Sequence, residues 1–210
     1  MSVSKRRIGS CDDFARDMNE SNVGGNTMKL TGIHIKNFKA IHEMKIDNIE
    51  NALILVGQNN TGKTTILEAI RAAFGDYRIS SEDFDGDCAN IEMDVSLEFS
   101  IEDLKWLHQN GVVSQYKRYE TWLEDFCKKL PSFSLNEEAT GGVLQFTFIA
   151  HRDGLVRYQD KEHKNNSCIP QVFPKIYYLD AERDLNQLQG DLLMLQEDEL
   201  LKRMRADTCM

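Results

Sequence analysis

Apolar and polar residues alternate from Met28 to Lys36, through Leu30, Gly32-Ile33 and Ile35. Asn37, Phe38, Lys39 and Ala40 break the pattern, and it resumes from Ile41 to Ile46. Period-two alternation on both sides of a short break predicts a β-hairpin. Ile49 and Leu53 continue the apolar series, and Leu53 to Val56 form an unbroken run that reads as a short buried strand. The period then changes. Ile66, Leu67, Ala69, Ile70, Ala73 and Phe74 fall on one helical face, with Glu68 and Arg71 outside it and Gly75 as a natural stop.

Asp76 to Asn90 is acidic and reads as a solvated loop, and Ile91 to Ser100 alternates as a one-sided strand. Two helices are predicted over 101–131. The first carries Leu104, Trp106 and Leu107 and ends near Gly111. The second carries Tyr116, Tyr119, Leu123, Phe126 and Leu130, and Pro131 stops it. That aromatic stripe reads as packing rather than a nucleotide clamp. Gly142 to His151 and Leu155 to Tyr158 form a second hairpin about the turn Arg152-Asp153-Gly154. Asp160 to Ser167 is a charged, solvated loop. Pro174 to Asp180 reads as a short buried strand ending in a carboxylate, and Leu185, Leu188, Leu192 and Leu195 follow as a coiled-coil-like seam interrupted by Gly190. Residues 1–27 are polar and without sustained period, so a weakly ordered extension is expected; a short helix over 12–18 is the alternative. The domain begins near Met28.

The chemistry lies at Gly57 to Thr65, where the apolar run meets the helix. Gly57, Gly62, Lys63 and Thr64 match G-x-x-x-x-G-K-[ST], the P-loop pattern, with a strand expected before it and a helix after it. A triphosphate needs many donors in a small concave loop, and glycine lets the backbone approach closely enough to supply them. On that pattern Gly57, Asn59, Asn60, Thr61, Gly62, Lys63, Thr64 and Thr65 are the candidate ATP-binding residues. Lys63 places its cation on the β- and γ-phosphates and is the candidate catalytic residue. Thr64 offers its hydroxyl to Mg2+. The helix points its positive end at the phosphates.

Composition narrows the context. The chain has 210 residues, 41% hydrophobic, enough for one ordinary domain. A net charge of −9 argues against a free-standing nucleic-acid binder without excluding a local basic groove. Cys11, Cys88, Cys127, Cys168 and Cys209 form no CxxC pair, which fits reduced thiols in a cytoplasmic protein. No apolar run approaches the ~20 residues of a membrane span, and no apolar stretch follows Lys5, Arg6 and Arg7 as a signal peptide requires. Asp83, Asp85, Gly86 and Asp87 resemble a calcium loop, but Cys88 and Asp94 stand where that loop needs glycine and glutamate. His163 and Cys168 lack the companions a metal site needs.

The stretch from Leu30 to Ile70 resembles the N-terminal ATPase lobe shared by RecF, SMC-type proteins and the OLD family of ATP-dependent endonucleases. Those begin with a strand ending in I-x-N-F-[KR], here Ile35 to Lys39, followed by G-x-N-x-[SAT]-G-K-[ST]-[ST], here Gly57 to Thr65 with Asn59. Ile176 to Leu185 is similar to the D-A-E-R-D-L stretch of OLD-type proteins. The resemblance implies an α/β fold: a P-loop NTPase of ABC type, in its N-terminal part, with hairpin strands, a P-loop strand and helix, a helical insertion and a C-terminal helix. Residues 28–184 would be the partial head and 185–210 the start of a helical segment. It also implies that ATP on one head is completed by the signature motif of a second, making a homodimer or a partner head expected. Lys39 would help hold phosphate or the loop near the base. DNA becomes the ultimate substrate class, in processing, repair or phage defence.

The departures are specific. No LSGG[QE]-type signature is present, nor an apolar run ending in adjacent Asp-Glu. The nearest magnesium carboxylate is Asp180, separated from Glu182 by Ala181. A C-terminal nuclease domain has no room. The expectation is therefore the N-terminal portion of a longer protein, binding nucleotide with weak or absent turnover. Two alternatives stand beside it: a self-sufficient small P-loop enzyme, although no N-K-x-D base-reading motif is present, and a nucleotide-driven assembly module using the leucine seam.

Overall fold

The computed structural model describes residues 28–57, 62–138 and 140–178. Six strands form one antiparallel sheet: β1 (Lys29–Phe38), β2 (Ile41–Ile46), β3 (Asn90–Ser100), β4 (Phe133–Leu135), β5 (Gly141–His151) and β6 (Val156–Gln159). Their order is β2-β1-β3-β5-β4, and β6 pairs with the same edge of β5 further along. Three helices accompany the sheet among the described residues: α1 (Lys63–Ala73), α2 (Ile101–Gln109) and α3 (Tyr119–Lys129).

The alternation read in the sequence becomes the core. In the register, Ile33, Val95 and Phe146 stand side by side, as do Ile35, Met93 and Phe148. All six are nearly or wholly buried. Because side chains at paired positions share a face, these rows make one continuous apolar floor. The opposite face is polar. There His34 lies between Glu43 (Nε2 to Oε1, 2.9 Å) and Asp94 (Nδ1 to Oδ2, 3.3 Å), and the Thr147 hydroxyl donates to Asp94 at 2.7 Å.

α1 lies on the apolar floor, over β1 and β3. It buries Ile66, Ala69, Ala72 and Ala73. Leu67, expected on that face, is 42% exposed. Gly75 ends the helix as expected, at φ 79°. The segment 101–131 holds two helices, as expected. Ser100 and Asp103 start α2 with a reciprocal cap: Asp103 N–H donates to Ser100 Oγ at 3.1 Å, and Ser100 N–H donates to Asp103 Oδ2 at 2.8 Å. α3 begins at Tyr119, not Tyr116. It buries Trp122 and Phe126, whose rings lie 4.8 Å apart and continue to Phe133.

Four expectations are corrected. Leu53 to Val56 belong to none of the six strands. Leu55 packs against the core, but Ile54 and Val56 are 81% and 90% exposed, so the run is covered on one side only. The acidic loop after α1 is not simply solvated: it holds a short 3-10 turn, Ser81–Asp83, with Asp83 buried. The loop from Asp160 likewise turns inward. Asp160 and Asn166 are buried, and Asp160 Oδ1 accepts the amide protons of Glu162 and His163. Finally, Pro174 to Tyr178 form no strand, and Tyr177 is 44% exposed. Asp180, the leucine seam and residues 1–27 lie outside the described residues. Among the described residues no helix is long and apolar enough to cross a membrane.

Candidate functional site

The start of α1 brings the glycine and lysine of the motif together. Gly62 is the residue preceding the helix, at φ 85° and ψ 8°. That left-handed geometry costs a residue with a Cβ, and glycine adopts it freely. A Cβ built there would meet nothing within 4 Å, so glycine serves the backbone angle and not a tight fit. Gly62 O accepts from Ile66 N–H at 3.1 Å and so opens the helical ladder. No side chain caps this end, and no acidic residue lies in the first turn. The leading amides and the positive end of the helix dipole therefore have no acidic side chain of that turn to offset them.

Lys63 folds back across the loop. Its ammonium donates to the Gly57 carbonyl at 2.7 Å, closing the two ends of the motif on each other. Thr64 is exposed and Thr65 half-buried at the same helical turn. Gly57, Gly62, Lys63, Thr64 and Thr65 are thus gathered at one end of α1, while Asn59, Asn60 and Thr61 lie outside the described residues.

Lys39 approaches from the hairpin turn between β1 and β2. Its ammonium lies 2.6 Å from Glu68 Oε2 and 3.4 Å from Asp83 Oδ1. It also sits over the Tyr77 ring, 5.1 Å from the centroid. Partial burial opposes its charge, but the hydrogen bonds to Glu68 and Tyr77 outweigh that and hold Lys39 above the ordinary lysine range. Burial likewise works against the Asp83 carboxylate. The Ser80 amide, the Tyr77 and Ser80 hydroxyls and Lys39 overcome it and hold that carboxyl below its usual range. The expectation that Lys39 holds phosphate thus meets a side chain already paired with two carboxylates.

Sequence reasoning missed Glu68, Tyr77 and Asp83. Glu68 was visible as a polar residue off the apolar face, four positions after Thr64 and hence on the same side of the helix. Nothing in the sequence pairs it with Lys39. Among the described residues no group of three or more His, Cys, Asp or Glu side chains is placed to hold a metal.

The family model of the AAA ATPase domain matches residues 28–207. The DNA replication and repair protein RecF of Lactococcus lactis subsp. lactis is 54% identical over 43 residues, which is 20% of this chain and 12% of that protein. The retron Ec83 probable ATPase of Escherichia coli is 30% identical over 79 residues, 36% of this chain and 15% of that protein. The uncharacterized protein MJECL10 of Methanocaldococcus jannaschii is 50% identical over 38 residues, 18% of this chain and 17% of that protein. The matches therefore span less than a fifth of each of these relatives. A solved SMC ATPase aligns over 69% of this chain and 75% of its own, with a TM-score of 0.41 and 17% identity, too loosely to argue from. With the family model running across nearly all of the chain from Met28 onward, the chain belongs to the AAA ATPase domain family.

Proposed function

We propose that this chain binds ATP with Mg2+ through the loop from Gly57 to Thr65. One observation carries the reading: Gly62 enters α1 in left-handed geometry with no side-chain cap, while Lys63 bridges back to the Gly57 carbonyl. The donor set fits the ligand. Leading amides of α1 and the Lys63 ammonium are what a triphosphate needs, and the exposed Thr64 hydroxyl is a suitable ligand for magnesium. When bound, the metal supplies neutralisation of charge across the β- and γ-phosphates. Asn59, Asn60 and Thr61 would complete the loop, and Asp180 is the candidate second metal ligand.

Binding and hydrolysis make different demands. Turnover needs a carboxylate to position water and a group to stabilise charge on the γ-phosphate. We assign the second of these to another head, so the working unit is a homodimer or a pair of heads in the cytoplasm, with residues 28–184 as the partial head and 101–131 as its helical insertion. RecF is named for DNA replication and repair. By that likeness DNA processing, including repair or phage defence of the OLD type, is the proposed setting.

The test is nucleotide binding by the purified chain, read by calorimetry with ATP and Mg2+. Lys63→Ala is expected to remove measurable binding, because a charge-assisted contact is worth about 1.5–3 kcal/mol and the loop closure through Gly57 is lost with it. Parent-like affinity in that variant would show the site to be elsewhere.

A further inference from the structure

We propose that the cavity at the C-terminal end of α1 is a binding site for an aromatic carboxylic acid, held by the Arg78 guanidinium and the Tyr158 hydroxyl against aromatic rings. The site lies away from the nucleotide loop. Lys63 and Ala72 stand near opposite ends of α1, about 14 Å apart at 1.5 Å per residue.

The cavity measures about 760 Å³, the size of sites that enclose most of a small organic ligand. Ala72, Phe84, Phe148 and Ala150 form its buried lining, none of them more than 7% exposed. Phe148 and Tyr158 meet with ring centroids 5.6 Å apart, so one wall is aromatic over two rings. Such a wall receives a flat ring through stacked or edge contacts.

The polar groups select the charge of the occupant. Arg78 is exposed at the rim, and neither its guanidinium nor the Tyr158 hydroxyl has a partner among the described residues. A Cβ built on Gly75 would lie 3.7 Å from Tyr158 Oη, which sets that hydroxyl at the exit of α1, beside the segment that carries Arg78. Burial pushes the Tyr158 hydroxyl up, so it stays a neutral donor. A guanidinium and a phenol donor together suit a carboxylate. The other charged groups of the rim are engaged already. Arg152 donates to the carbonyls of Gly86 and Cys88 and covers the Phe84 ring. Asp76 accepts from Arg71 at 2.8 Å, and Asp153 from the Leu155 amide at 3.0 Å. An acid therefore meets an unpaired cation here, whereas an amine meets carboxylates that already hold donors.

The full chain is titrated with 6-fluoro-2-naphthoate, followed by fluorine NMR, and with the corresponding naphthylmethylamine. Backbone amide shifts map the site. The acid is expected to bind saturably and to shift residues 75–81 and 148–158, and the amine to bind at least about tenfold more weakly. Arg78→Gln should lower affinity for the acid about tenfold or more, and Tyr158→Phe several-fold. Lys105→Gln, which removes an exposed cation on α2, should leave it unchanged. Val156→Trp, at the exposed rim, fills the mouth of the cavity and should exclude the acid without altering the core. Thermal melts check that each variant is folded. No saturable binding of the acid overturns the proposal. So does amine binding equal to the acid's, an Arg78→Gln or Val156→Trp variant that binds as Lys105→Gln does, or shifts gathered at residues 62–65, which would put the acid on the nucleotide loop instead.

Discussion

Replacing Gly62 by alanine separates the cost of a backbone angle from the loss of a ligand site. The angle at Gly62, φ 85°, disfavours any residue with a Cβ by about 1–2 kcal/mol. No steric penalty adds to it, since the new methyl would meet nothing within 4 Å. Alanine also narrows the unfolded ensemble, which returns about 0.4–1 kcal/mol. The net loss is about 0–1.6 kcal/mol, or at most roughly 6 °C in Tm for a chain of this size. Binding should suffer more. A relaxed angle turns the leading amides of α1 away, and losing a single charge-assisted contact of about 1.5–3 kcal/mol lowers affinity about ten- to a hundredfold. Gly154 supplies the matched control: φ is 90°, again nothing lies within 4 Å, and it sits in the turn between β5 and β6. Thermal melts and ATP titrations of both variants give the answer. Gly154→Ala should lose similar stability and keep parent affinity. If Gly62→Ala binds as the parent does, or if both variants lose affinity alike, the loop's geometry is not what holds the ligand.

Two further outcomes follow from the packing and the charges. Gly142→Ala should cost about 1–3 kcal/mol in a urea melt, because its Cβ would lie 2.5 Å from Phe133 Cζ and 2.6 Å from the Ser134 carbonyl; a melt like the parent's would mean that β4 yields freely. Acid should destabilise the chain through Asp83 and Asp160. Burial works against both carboxylates, but the amide and side-chain donors around each hold them below their usual range. A carboxyl that binds its proton less readily when folded contributes stability above the unfolded value near 3.9 and loses it as pH falls through the folded value. The urea midpoint should therefore be level from about pH 7 to pH 5 and fall below about pH 4, with a shallower acid limb in Asp83→Asn; a midpoint that rises on acidification contradicts the assignment.

Local pattern carried much of the fold. β3 shows it: Ile91, Met93, Val95, Leu97 and Phe99 alternate strictly, and all are buried. The hairpin before the loop and the glycine that ends α1 were equally readable, because turn chemistry and side-chain period act over a few residues. Leu53 to Val56 misled for a related reason. An unbroken apolar run implies cover on both faces, yet only the Leu55 side is packed here. The polar loops misled because charge reads as solvation, whereas Asp83 and Asp160 go inside with enough donors to satisfy them. At the site, the motif named the loop residues from spacing alone. The Lys39–Glu68 pair was invisible, since the two residues are 29 apart and meet only once the hairpin turn is folded against α1.

The alanines beneath α1 give that helix no slack. Ala69, Ala72 and Ala73 are 0%, 1% and 0% exposed, so beyond Ile66 the fully buried side chains of the helix are methyl groups. A bulkier neighbour there has nowhere to go but upward, tilting the rod and carrying its glycine-and-lysine tip along. The bearing surface on the sheet and the chemistry at the tip are thus one mechanical part. A substitution on the underside, remote from any ligand, can retune the tip as surely as one in the loop itself.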